Sequence, residues 1–145
     1  MAEGKALRLV AEDESDLKVI SAALQDAVAK AGALKYQSKK RRFSIEVNRF
    51  RWEDKTKSRT RALLAIDSVL NVKARGLTKS DPEMVISILS MSFEAGQEAP
   101  AGTLRLLFAG DGELALEVEC LDVTLLDGAQ VWPTKHQPDH EPRKT

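Results

Sequence analysis

The chain has 145 residues and no formal net charge, 22 Lys and Arg balancing 22 Asp and Glu, with 43% hydrophobic residues. That length and composition fit one globular domain and exclude a disordered polyelectrolyte. No apolar run approaches the ~18 residues of a membrane span. The N-terminus lacks the basic and apolar regions of a secretory signal, and the lone Cys120 excludes an internal disulfide, so a reducing, cytoplasmic setting is expected.

In chain order, residues 6–12 alternate enough to predict a short strand. Asp13 or Ser15 then caps a helix in which Glu14 and Asp16 occupy the first turn and Leu17, Ile20 and Leu24 form one stripe. Residues 27–29 and 34–37 read as extended, broken at Gly32. In the next strand Phe43, Ile45 and Val47 alternate with polar residues, and then the parity flips. Arg49 and Arg51 take the apolar positions while Phe50 and Trp52 take the polar ones, which predicts a bulge near Asn48–Arg49.

Residues 53–58 make a charged turn, and 59–75 a strand or strand pair. After a TKSDP loop, residues 84–94 place Val85, Leu89, Met91 and Phe93 on one parity. Residues 103–108 and 113–120 form a hairpin across AGDG. Residues 120–126 fit a strand or a short helix. The expected architecture is α+β: a curved antiparallel sheet or half-open barrel of six to eight strands with one N-terminal helix. It occupies residues 1–127, followed by a polar, Pro-rich tail at 128–145, partly docked or disordered, whose start Trp132 pins to the body.

The familiar catalytic signatures are missing: no P-loop, no GxGxxG after a strand, no GxSxG elbow, no HExxH. His136 and His140 are four apart, a spacing that lets two imidazoles share a metal on a helix. Pro133, Pro138 and Pro142 forbid a regular helix there, so a solvated tail is the better reading and no metal or other cofactor is expected. Cys120 is flanked by Glu117, Glu119 and Asp122 and shares parity with Leu116 and Val118, which suits a buried small hydrophobe rather than a thiolate nucleophile.

The anomaly is residues 35–61, which hold 11 of the 22 basic residues and only three acids, Glu46, Glu53 and Asp54. The rest of the chain carries the compensating acidic excess, so the protein has a locally positive segment despite its neutrality. Arg49-Phe50-Arg51-Trp52 interleaves guanidinium and aromatic groups. The reading is a strand pair first and an anion grip second: a non-enzymatic binding or adaptor module in which Asn48, Arg49, Arg51, Trp52, Arg59 and Arg61 contact a protein partner or small anion. Single-stranded nucleic acid ranks behind these. Other readings are an enzyme with an unrecognised carboxylate or histidine site, and a homodimer formed through an exposed strand edge.

The strings LRLVAEDESDLKVISAALQDAVAK, RRFSIEVNRFRWE, LLFAGDGELALEVECLDVTLLD and WPTKHQPDHE together resemble an uncharacterised alphaproteobacterial domain-of-unknown-function family (DUF2948). The likeness runs from about Leu7 to Glu141, and NRFRWE (residues 48–53) is its most distinctive string. It implies a small, single-domain bacterial cytoplasmic protein. It brings no activity, cofactor or catalytic residue.

Overall fold

Asp13 both ends the first strand, β1 (Arg8–Ala11), and starts the helix α1 (Glu14–Ala23). Its backbone is extended (φ −142°), and its carboxylate accepts the amide of Asp16 at 2.8 Å. An otherwise orphan helix donor is thereby satisfied, while Glu14 and Asp16 complement the positive end of the helix dipole. Leu17, Ile20 and Leu24 are buried, as their spacing predicts. The amide of Met91 donates to the Ser21 hydroxyl at 2.9 Å, fastening the helix to the sheet.

The computed structural model describes residues 6–55, 57–77 and 81–134. Nine further strands follow the helix: β2 (Val28–Lys30), β3 (Leu34–Gln37), β4 (Arg42–Phe50), β5 (Ser58–Ile66), β6 (Val69–Arg75), β7 (Val85–Ala95), β8 (Gly102–Phe108), β9 (Glu113–Val118) and β10 (Val123–Pro133). They pair throughout as antiparallel neighbours in the order β1-β10-β5-β4-β2-β7-β8-β9-β6, with β3 also on β4. Phe43, Ile45 and Leu64 from one half of this path share a single buried cluster with Ile88, Leu104, Leu106 and Leu116 from the other. One sheet whose two halves enclose a common core must be strongly curved. The path does not close, however, and the fold is α+β with one α-helix among the described residues.

Ten strands among the described residues replace the six to eight expected. The short β2 and β3 exist through pairing with β4 and β7, and three or four residues are too few to display a period. Residues 59–75 divide at Ser68, whose φ is +62°. The two resulting strands never pair with each other: β5 lies between β4 and β10, while β6 lies on β9.

The bulge expected at Asn48–Arg49 is absent from the β4–β5 ladder. The register runs unbroken from Phe43 opposite Ile66 to Phe50 opposite Arg59. A break lies instead in β7, between Ile88 and Ser90. Ile86 and Ile88 are inward before it and Met91 after it, which leaves Val85 and Leu89 exposed rather than in the core. The boundary placed after Asp127 falls inside β10, whose pairing with β5 resumes at Val131 and reaches Pro133. Within residues 120–126 this strand begins at Val123, and no helix forms. No helix of the described chain is long and apolar enough to cross a membrane.

Candidate functional site

Arg49 continues the inward parity of Phe43, Ile45 and Val47 and is fully buried. Its Nε and Nη2 donate to Asp127 Oδ1 and Oδ2 at 2.8 and 2.7 Å. Its Nη1 and Nη2 donate to Glu53 Oε1 and Oε2 at 3.0 and 2.7 Å, and Nη1 also reaches the Phe50 carbonyl at 3.3 Å. All five N–H groups of the guanidinium are thus engaged, four in two bidentate carboxylate forks and one on the Phe50 carbonyl. Burial alone would pull the Arg49 guanidinium down, but the two carboxylates outweigh it and raise it above its ordinary value. Burial likewise pushes Glu53 up, yet its bonds to Arg49 prevail and hold its carboxyl below the usual range. The side chain of Asp127 is only 1% exposed, and its Oδ2 takes the amide of Leu7 at 2.8 Å as well.

Arg51 is buried in the same region. Its Nη1 donates to Asp54 Oδ2 at 2.8 Å and Ser58 Oγ at 3.0 Å, with Nε 3.9 Å from Glu53. Arg49 and Arg51 therefore form an internal clamp that joins β4, the turn after it, β10 and the approach to β1. Both are buried, with the protein's own acids on the Arg49 donors and on Arg51 Nη1, so they are withdrawn from the contact surface expected of them. Sequence reasoning missed the partner, Asp127, although a signal was present. Asp127 follows Val123 and Leu125 on the inward parity of β10, as Arg49 follows Val47 on β4. Two opposite charges on the inward parity of strands that share a neighbour mark a buried pair.

The other four candidate residues meet on the opposite, outer face. Asn48 lies directly across from Arg61, and Phe50 across from Arg59. On its other flank Arg59 faces Trp132 of β10. The Arg59 guanidinium carbon sits 5.9 Å from the Phe50 ring centroid, within cation–π range. Its Nη1 reaches the Asn48 carbonyl and side-chain oxygens at 3.4 and 3.2 Å. The Trp52 ring meets Phe50 edge-on at 4.8 Å, and its indole N–H donates to the Gln25 carbonyl at 3.1 Å. Phe50 is buried beneath this group, whereas Trp52, Arg59 and Trp132 are half-buried and Arg61 is exposed.

Charge on this face is poorly compensated. Arg61 stands 3.8 Å from Glu46, with both side chains largely in solvent, a contact of small energetic weight. Arg59 has no salt bridge among the described residues. Burial draws its guanidinium below the ordinary value, opposed only by the charge of Asp26.

His136 and His140 lie outside the described residues. Among the described residues no group of three or more His, Cys, Asp or Glu side chains could hold a metal ion. Cys120 is half-buried in the turn after β9, its thiol 3.7 Å from the Ser68 hydroxyl, rather than sealed in the core.

The sequence profile of the family described as "Protein of unknown function (DUF2948)" matches residues 7–140. No curated protein and no solved structure matches the chain.

Proposed function

The chain belongs to the DUF2948 family, and from the chemistry of its outer β4–β5–β10 face we propose that it is a non-catalytic binding module for an acidic protein partner. The observation that carries this reading is Arg59: a half-buried cation with no salt bridge among the described residues, packed against Phe50 and opposite Trp132. Holding a partly desolvated charge with only the more distant Asp26 to oppose it and no salt bridge among the described residues is unfavourable. A carboxylate brought by a partner removes that cost and finds Nε and Nη2 of Arg59 unused by any hydrogen bond among the described residues. Arg61, two residues along the same strand and roughly 7 Å away, offers a second fork. Trp52 and Trp132 add the half-exposed aromatic area in which binding energy concentrates. Asn48 and Arg61 border depressions of about 400 and 450 Å³, but Arg59, Trp52 and Trp132 lie outside both, which favours side chains presented by a macromolecule over a small free anion.

A second reading, single-stranded nucleic acid, is supported by the same alternation of Arg59 with two half-exposed tryptophans, which suits bases on rings and phosphates on guanidinium. Titration with fluorescent poly-L-glutamate and, in parallel, a fluorescent oligouridine tests both. Poly-glutamate should bind at low salt, with Arg59→Ala weakening it about tenfold or more. Tighter binding of the oligouridine, with a log–log salt slope of about −0.7 per phosphate contact, replaces the first reading by the second. No binding of either probe by the folded protein sinks both.

A further inference from the structure

On another side of the molecule the sheet fails to close. Among the described residues β3 pairs only with β4, and β6 only with β9, so each carries one edge with no strand alongside. The two edges approach where the Val69 amide donates to the Arg41 carbonyl at 2.9 Å and the Tyr36 hydroxyl donates to the Val69 carbonyl at 3.1 Å. Beyond that point lies a cleft of about 410 Å³, within the range of small-molecule sites. Leu34 and Tyr36 wall it from β3, Val72 and Ala74 from β6, and the buried Phe43 and Leu114 contribute from the core side. Gly32 and Pro82 also line it, packed so closely that a Cβ on Gly32 would lie 3.0 Å from the Pro82 Cβ.

The lining is almost wholly apolar. Among the described residues its single side-chain polar group is the Tyr36 hydroxyl, which already donates to Val69 and keeps lone pairs for accepting a hydrogen bond. Charge is concentrated just beyond β3, in the one-turn segment Ser38–Lys40. Neighbouring Arg41 and Arg42 are neutralised by Glu119 and Asp67. Lys39 and Lys40 are exposed and make no ion pair among the described residues. The segment that carries these lysines follows the Tyr36 wall by two residues and packs against β6, and an apolar slot with unneutralised cations on an adjoining segment is complementary to one chemistry.

We propose that the cleft between β3 and β6 binds a small amphipathic anion, its apolar body seated between Leu34, Val72, Ala74 and Leu114 and its anionic head turned toward Lys39 and Lys40. This site is separate from the Arg59 face and does not depend on its role.

Two dyes of similar shape test the proposal: 1-anilinonaphthalene-8-sulfonate, an apolar body with one anionic head, and uncharged N-phenyl-1-naphthylamine. The anionic dye should bind the folded wild-type protein one-to-one with enhanced fluorescence. Ala74→Trp, which fills the cleft from an exposed position on an edge strand, should weaken both dyes about tenfold or more. Leu34→Trp does the same from the facing wall, so either variant serves if the other fails to melt cooperatively. Lys39→Ala/Lys40→Ala should weaken the anionic dye about fivefold and leave the neutral dye unchanged. Absence of binding, binding that survives both cleft-filling variants, or an anionic dye indifferent to the lysine substitutions overturns the proposal.

Discussion

Replacing Arg49 by Met keeps much of the side-chain volume and removes every donor of the internal clamp. The two carboxylates left behind are not equivalent. Glu53 is 34% exposed and can rehydrate, while Asp127, 1% exposed, retains only the amide of Leu7. The penalty therefore falls mainly on Asp127, and an uncompensated buried charge of this kind costs about 3–5 kcal/mol. Against a typical stability of about 5–15 kcal/mol, that is a large fraction, equivalent to a Tm loss on the order of 10 °C for a chain of this size. Urea unfolding followed by Trp52 and Trp132 fluorescence measures it. Asp127→Asn in the Arg49→Met background removes the stranded charge and keeps an oxygen for the Leu7 amide, so the double variant should be more stable than Arg49→Met alone by about 2 kcal/mol. An Arg49→Met loss below about 1 kcal/mol, or an Asp127→Asn change that deepens the loss, would refute the assignment of the cost to a buried, unpaired Asp127.

Because the folded Glu53 carboxyl is held below its ordinary range by Arg49, its contribution is complete above the unfolded value of about 4.3 and is lost as pH falls through the lower folded value. Wild-type stability should decline with acid in that window, and Glu53→Gln should flatten the decline in urea midpoints measured across it. Asp13→Ala removes the cap on Asp16 and should cost about 1 kcal/mol, read as a lower urea midpoint with an unchanged slope. Gly102→Ala places a Cβ 2.5 Å from both the Glu94 carbonyl oxygen and the Phe93 ring. Because backbone is among the obstacles, it should destabilise the β7–β8 pair by about 1–3 kcal/mol, and a melt indistinguishable from wild type would contradict that packing.

Local chemistry was legible and partnership was not. The helix, its Asp13 cap and the AGDG hairpin each depend on residues within a few positions of one another, and all are present. The β7 break at Leu89 and the division of residues 59–75 depend on which strands lie alongside, which alternation alone does not encode. The candidate face divides for the same reason. Asn48, Trp52, Arg59 and Arg61 share the outer side, whereas Arg49 and Arg51 point inward to acids, one of which lies 78 positions away in sequence. A guanidinium looks the same in sequence whether it faces solvent or a buried carboxylate, and only the matching acid on the inward parity of β10 distinguishes the two.

The placement of β10 sets the timetable of folding. It is made after every other strand described here, yet it lies between β1 and β5, with Arg8 opposite Leu126 and Ile66 opposite Val123. During synthesis β1 has no strand partner, and one edge of β5 stays bare, until that segment emerges. Pairings so distant along the chain raise the contact order, and loop closure must precede any gain from them. Asp127, inside β10, also brings the counter-charge for Arg49. A nascent chain stopped before it would carry a naked sheet edge and an incompletely neutralised inward arginine, conditions that favour aggregation over folding.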